Sequence, residues 1–246
     1  MTPIIGSTRP VGQPVTVRGG GRPQGYKDAQ GNRVPGVTTV LGRFKDSGGL
    51  IRWAYGQGQR KERGEINDLY DSRDEAASIG TIVHDIAEAT IADNAQELAG
   101  LMTKVATLTD DQQAMVRNGV QAFASWFDGS RIVVQETETP LVSEAHGFAG
   151  TFDALGRDAA DRLVLLDWKT SAGVYPEMLV QLGAYTMLLE ERGDVVEEAH
   201  LCRFSKEFGN FSHHQVTGPM LSVGRAQFLL LLGAYKNDAL LKRMVK

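Results

Sequence analysis

Apolar and polar positions alternate with two different periods along this chain. The first half carries a helical period. "GGLIRWAYGQGQRKERGE" (48–65) reads as a helix with basic residues in its second half. Ser72 and Glu75 form an S-x-x-E capping box ahead of the helical run "AASIGTIVHDIAEATIA". Thr109 and Gln112 form a second box before "AMVRNGVQAFASWF". Upstream, "VPGVTTVLGRF" (34–44) opens with a turn and becomes apolar and β-branched. The middle changes to strand character. "RIVVQETETPLV" (131–142), "GFAGTFDALGR" (147–157) and "RLVLLDW" (162–168) are short runs joined by turn residues, which predicts an antiparallel meander. "EMLVQLGAYTMLLEE" (177–191) returns to a helical period, with Met178, Leu182, Tyr185 and Leu189 spaced by three or four. "AHLCRFS" and "NFSHHQVT" predict a further hairpin, and "GRAQFLLLLGAYKNDALLKRM" a closing helix. The order of helices, βββ, α, ββ, α predicts an α/β or α+β fold: a central sheet with helices packed on it.

A chain of 246 residues suits one large domain with a buried core. Apolar residues make up 42% and charged residues 23%, as in ordinary globular proteins. The net charge of −4 argues against a passive coat for nucleic acid. It leaves room for an enzyme that keeps carboxylates for a metal and needs only a local basic groove. The single cysteine, Cys202, rules out an intrachain disulfide and a cysteine-built zinc or iron–sulfur site, and fits a reducing, intracellular compartment. No apolar stretch approaches the roughly 20 residues that span a bilayer, so no membrane association is expected. The first 27 residues hold Arg9, Arg18, Arg22 and Lys27 but no acid. "VRGGGRPQG" is too rich in Gly and Pro for an amphipathic targeting helix, so residues 1–33 read as a flexible basic arm, with one domain over 34–246.

The stretch "LVLLDWKTS" (163–171) poses a chemical question, because it carries two opposite charges at the end of an apolar run. Side chains alternate across a strand, so Asp167 and Lys169 share one face and Trp168 takes the other. Thr151 and Asp153 share a face of the preceding strand by the same rule. If these two strands pair, Asp153 and Asp167 come together. Two buried carboxylates repel, and a hard divalent cation such as Mg²⁺ or Mn²⁺ removes that cost. The Lys169 ammonium cannot be a further ligand. It is suited to hold an attacking water or to offset charge developing on a phosphate oxygen. An isolated D-x-K is more simply a salt bridge at a solvated edge. Four features shift the weight: the acid in "GFAGTFD", His84 after a glycine in "GTIVHDIAEA", Gln181 and Tyr185 four apart in "QLGAY", and the short step from the D-W-K strand to that helix.

The ordered set G-x-x-x-H, G-T-F-D, D-W-K-T and Q-x-x-x-Y resembles the PD-(D/E)XK nuclease superfamily, in its RecB-like exonuclease branch. "VPGVTTVL" followed by "IRWA" is similar to the N-terminal region of the mitochondrial-type members and their phage relatives. The resemblance covers roughly residues 34–190. It implies a restriction-endonuclease-like core, a mixed sheet with flanking helices, and a helical N-terminal part (34–130) acting as a cap or passage for the strand. It implies His84, Asp153 and Asp167 as side-chain metal ligands and the Trp168 carbonyl as another. Lys169 becomes the catalytic lysine, and Gln181 and Tyr185 place the DNA strand or the lysine. The iron–sulfur subgroup needs four cysteines and is excluded. No G-x-x-x-x-G-K-[ST] motif is present, so any translocating motor is a separate partner.

Among other residues, Asp85 and Glu88 read as solvated helix positions, and Glu136 and Glu138 as an exposed strand face. His146 reads as a turn residue. His213 and His214 are adjacent, point to opposite faces and receive no role. Phosphate contacts are sought among Arg43, Lys45, Arg52, Arg60, Lys61, Arg63, Arg203 and Lys206. Arg52 is favoured, because Trp53 and Tyr55 interleave base-stacking rings with its charge; the competing reading makes both rings core residues. The expectation is a Mg²⁺- or Mn²⁺-dependent DNA exonuclease acting on single strands or duplex ends, in recombination, repair or genome maintenance. A single-strand-binding or recombination protein is the expected partner. The compartment is the cytoplasm of a bacterial or phage-infected cell, ahead of the mitochondrial matrix. Two alternatives stay open: an endonuclease on the same site, and a non-catalytic nucleic-acid-binding protein on a nuclease fold.

Overall fold

The computed structural model describes residues 16–17, 25–45, 48–65 and 71–245; of these, the side chains at 16–17, 49–50 and 71–76 are outside the description. Short strands β1 (Thr16–Val17), β2 (Tyr26–Lys27) and β3 (Arg33–Val34) precede α1 (Val37–Arg43) and α2 (Gly48–Glu62). Then come α3 (Asp71–Ile91), α4 (Ala95–Ala106) and α5 (Asp110–Ser130). The meander is β4 (Val133–Ser143), β5 (Phe148–Arg157) and β6 (Leu163–Lys169). It is followed by α6 (Pro176–Arg192), β7 (Glu198–Phe204), β8 (Phe211–Val216) and α7 (Gly218–Met244). The sheet order is β1-β4-β5-β6-β7-β8. β4–β5, β5–β6 and β7–β8 are antiparallel, whereas β6–β7, joined through α6, and β1–β4 are parallel. The fold is therefore the expected mixed sheet with flanking helices.

The sheet separates two cores. On one face α1, α6 and α7 bury Val37, Leu182, Leu189 and Phe228 against Phe152, Leu155 and Leu165. On the other, α3 and α5 bury Ala87, Phe123 and Trp126 against Val164, Leu166 and Trp168. A third cluster joins α3, α4 and α5. Met178, Leu182, Tyr185 and Leu189 are all buried, as their spacing predicts.

Local signals hold at one place and give way to tertiary context at two. The Thr109–Gln112 box forms, with the Gln112 N–H donating to Thr109 Oγ1 and the Thr109 N–H to Gln112 Oε1. The Ser72–Glu75 box falls on side chains outside the description. "VTTV" is β-branched yet helical in α1, because burying Val37 and Val40 completely outweighs the small propensity cost. Residues 26–33 lie within the stretch read as an arm, yet Tyr26–Lys27 pairs with Arg33–Val34 as the β2–β3 hairpin, and the Tyr26 hydroxyl lies 2.9 Å from Thr151 Oγ1.

His213 and His214 do point apart. His213 Nε2 lies 2.6 Å from His200 Nδ1, and His214 Nε2 lies 3.3 Å from Ser212 Oγ. Burial, followed by the His213 charge, pushes His200 down to about 4 from its ordinary 6.5. A group depressed in this way supports stability above its unfolded pKa and loses it as pH falls through the folded one. Chemical denaturation should therefore show stability declining from about pH 6.5 to about pH 4, with a smaller decline in His200→Phe.

α6 and α7 cross at Gly183 and Gly224. A Cβ on Gly183 would overlap the Arg225 backbone N, and one on Gly224 the Leu179 carbonyl oxygen. Neither obstacle is a flexible side-chain tip, so the helices must separate to accept even a methyl group. Gly183→Ala should cost about 1–3 kcal/mol by overpacking, read as a lower denaturant midpoint at unchanged slope.

Candidate active site

The site grows from a fork in the sheet. β5 and β6 pair from Arg157↔Leu163 to Ala154↔Leu166. Past Leu166, β6 continues to Lys169 beside β7, while the first half of β5 pairs with β4. The place that β6 vacates is taken by Pro35 and Gly36, with the Ala149 N–H donating to the Pro35 carbonyl at 2.9 Å. At the fork the Trp168 N–H donates to Asp153 Oδ2 at 2.8 Å. A carboxylate thus takes the place of the strand carbonyl that has moved away.

Continuing the β5–β6 register one residue past its last pair, Ala154 and Leu166, sets Asp153 opposite Asp167. The two carboxyl-bearing residues are 2% and 0% exposed, burial that acidic side chains reach only when neutralised. Lys169 forms an ion pair with Asp167, its side chain 18% exposed at the mouth of the fork. Trp168 turns to the opposite core, its ring edge-on to Phe123 at 5.9 Å and to His84 at 6.3 Å. Gln181 Nε2 donates to the Tyr185 hydroxyl at 2.8 Å on α6.

Two glycines set these distances. A Cβ on Gly80 would stand 2.6 Å from Thr170 Oγ1, so α3 lies tight against the residue that follows Lys169. His84, one turn further along α3, is thereby brought to Trp168. A Cβ on Gly150 would stand 2.7 Å from Tyr185 Cε1, so this glycine makes room for the Tyr185 ring.

The structure thus brings Asp153, Asp167, Trp168 and Lys169 together at the fork, with His84 beside the Trp168 ring. Among the described residues, no three His, Cys, Asp or Glu side chains converge closely enough to form a finished metal cluster. The donor set nonetheless suits a hard cation: two buried carboxylates lie on adjacent strands. Arg52 and Trp53 lie on α2, and no hydrogen bond or ion pair among the described residues ties them to the fork. Trp53 is half-buried, while Tyr55 is 70% exposed and is not a core ring.

The other expected phosphate contacts divide into two groups. Arg43 is held by Asp238, Lys45 by Glu177, and both Arg60 and Arg63 by Glu65. Each of the four is engaged by a carboxylate, with Glu65 shared between two of the arginines. Arg203 is the register neighbour of Lys169 and donates through Nε to the Ser171 carbonyl at 2.7 Å, pinning the loop after the lysine. Burial lowers the Lys206 ammonium from its ordinary value, and its Nζ would lie 3.8 Å from a Cβ at Gly80. These two cations stand at the fork.

Three acids differ from their sequence reading. Glu136 is gripped by Arg192 through two bonds of 2.8 and 3.2 Å, which commits it to a structural pair. Glu88 is half-buried rather than solvated, and its carboxyl lies 3.4 Å from Thr137 Oγ1. Burial pushes its carboxyl upward against that hydrogen bond, with the charges of Glu97, Asp85 and Asp153 adding to the rise. Glu138 lies between the register pairs Thr137↔Ala154 and Thr139↔Phe152 and has a φ of 42°. A non-glycine residue in that region stores strain, which gathers at functional sites. Nothing local in the sequence marks either residue, since a helix position four after His84 and an alternating strand look solvated on their own.

A family model described as the PD-(D/E)XK nuclease superfamily matches residues 51–229. The chain belongs to the PD-(D/E)XK nuclease superfamily. It is similar in fold to a candidate exonuclease from Eubacterium rectale, at 13% identity over 70% of this chain and 69% of that one, with a TM-score of 0.45. An alkaline exonuclease from Laribacter hongkongensis matches at 13% identity over 63% of this chain and 91% of its own, with a TM-score of 0.32. A comparison with curated proteins finds no match. For a nuclease of this superfamily, the fork is where the D-W-K strand places its acid and lysine.

Gly80→Val should push α3 away from Thr170 and displace the residues beside it. A misplacement on the order of 1 Å costs about 100-fold in rate. DNA cleavage should fall by about that factor, while circular dichroism at 25 °C stays that of the parent.

Proposed function

We propose that this nuclease is a divalent-metal-dependent DNA exonuclease of the RecB-like branch. It hydrolyses phosphodiester bonds in single strands or at duplex ends. The observation that carries this reading is the pair of buried aspartates, Asp153 and Asp167, set opposite each other with Lys169 at the open side of the fork. A structural salt bridge at a solvated edge would need one acid and no burial.

Asp153 and Asp167 would hold Mg²⁺ or Mn²⁺, with the Trp168 carbonyl and His84 completing the set. Once bound, the ion supplies Lewis-acid polarisation of the phosphate and a more acidic water. The Asp153 carboxylate has a second task, because it anchors the Trp168 backbone and so fixes where that carbonyl lies. Lys169 Nζ orients the attacking water and balances charge developing on the phosphate oxygens. Arg203 holds the Thr170–Ser171 loop so that Lys169 cannot swing out. Lys206 offers a partly desolvated cation to the scissile or neighbouring phosphate, where its attraction is screened less than in water. Gln181 and Tyr185, joined by their hydrogen bond, form a polar wall that positions the strand. Arg52, Trp53 and the exposed Tyr55 on α2 would engage bases and phosphates further along it. Such chemistry suits recombination, repair or genome maintenance, alongside a single-strand-binding or recombination protein.

Asp167→Ala and Lys169→Ala should each lower cleavage at least about 100-fold while far-UV circular dichroism stays unchanged. EDTA should abolish wild-type cleavage, and Mg²⁺ or Mn²⁺ should restore it. Linear strands labelled at either end should be degraded and circular single strands left intact. Wild-type rates in either variant would overturn the site, and cutting of circles would make the enzyme an endonuclease on this same fork.

A further inference from the structure

A second concavity lies beside the fork. It is an open cleft of about 760 Å³ between the β2–β3 hairpin, the start of α1 and the last turns of α7. The formally charged residues lining it are Arg33, Lys236 and Arg243; no Asp or Glu lines it. That is notable in a chain of net charge −4, whose other basic side chains are often matched to carboxylates. Among the described residues, Arg33 and Arg243 form no ion pair. Lys236 donates one N–H to the His146 carbonyl at 2.6 Å, which holds its ammonium at the rim without neutralising it. Bringing three cations together costs self-repulsion, and an anion relieves it.

The cleft also reaches toward β5 and α6, the elements that carry Asp153 and Gln181. Tyr26 and Thr38 line both the cleft and a small recess whose remaining walls are Val37, Gly150, Thr151 and Tyr185. Tyr26 is fixed in that shared wall by its contact with Thr151 Oγ1, two residues from Asp153. Tyr185 carries the Gln181 bond already assigned to strand positioning.

We propose that this cleft binds the sugar–phosphate backbone of the nucleic-acid strand whose scissile phosphate lies at the fork; the inference rests on the nuclease function proposed above. A lone phosphate would need converging donors, but these cations come from two separate elements, β3 and α7, around a cleft much larger than one phosphate. Spaced cations along a groove are what a polyanion neutralises, and the Tyr26 ring at the junction offers a face for base stacking.

The test uses fluorescence anisotropy with the full chain carrying Lys169→Ala and Mg²⁺. Oligothymidylates of about 6 and about 30 nucleotides distinguish the fork from the fork plus cleft, given footprints of a few to a dozen or so nucleotides for such grooves. Adding Arg33→Gln and Arg243→Gln together should weaken binding of the longer strand about tenfold. It should make the plot of log affinity against log salt shallower by about 1.4, for two lost phosphate contacts on a single strand. The shorter strand should lose distinctly less. Lys104→Gln, on α4 beyond the opposite face of the sheet, removes a comparable charge and should change neither affinity nor slope. The proposal is overturned if the double variant behaves like Lys104→Gln, or if both lengths lose affinity equally. It is also overturned if inorganic phosphate at matched ionic strength displaces the strand from the parent but not from the double variant, since the cleft is then a small-anion site. If the parent binds neither length, the nuclease reading itself fails.

Discussion

The hydrogen bond from the Trp168 N–H to Asp153 Oδ2 is the contact on which the arrangement of the site depends. Antiparallel strands satisfy their backbone groups by exchanging bonds along the ladder. Where β5 and β6 part, that exchange stops, and an unpaired N–H buried at the fork would cost about 1–3 kcal/mol. Asp153 supplies the missing acceptor from a side chain. A carboxylate makes a stronger bond than a carbonyl. The divergence of the strands and the burial of Asp153 are thus one structural event. The sheet opens a gap, and a carboxylate side chain repairs the backbone.

Burial gives this arrangement its character. Asp153 and Asp167 sit among Leu165, Leu166 and Phe152, where ionised groups without compensation are expensive. Lys169 compensates part of that cost through its ion pair with Asp167. Burial raises the half-buried Glu88 carboxyl on the α3 side, and the charges of Glu97, Asp85 and Asp153 add to the rise. Such surroundings favour whatever brings positive charge to the fork. The second cleft follows the same logic with the sign reversed, since Arg33, Lys236 and Arg243 gather without acids. Tyr26 and Thr38 line both that cleft and a small recess against Thr151, two residues from Asp153.

Packing decides how precisely these groups are held. The close approaches at Gly80 and Gly150 sit beside the fork, and the one between Gly183 and Gly224 holds α6 against α7. α6 brings Gln181 and Tyr185 to the site and also forms the parallel crossover from β6 to β7. The helix that stabilises the sheet is therefore the one that presents the polar wall.

The sequence by itself determined the strands of the meander, the α6 and α7 helices and the Thr109 capping box. These follow from periodicity and strand alternation, which are local and survive without knowledge of the rest of the chain. It also carried the superfamily, because four short motifs in a fixed order are hard to assemble by accident. Only the tertiary structure decided which cations are matched by carboxylates, because Arg43 and Asp238 are 195 residues apart. It decided that "VTTV" is helical, since burial of Val37 and Val40 exceeds a propensity difference of a few tenths of a kcal/mol. Glu88 looked solvated because its neighbour in space, Thr137, comes from another element. The basic cleft was invisible for the same reason: Arg33 and Arg243 lie at opposite ends of the chain, and a charge gains meaning only from what folds beside it.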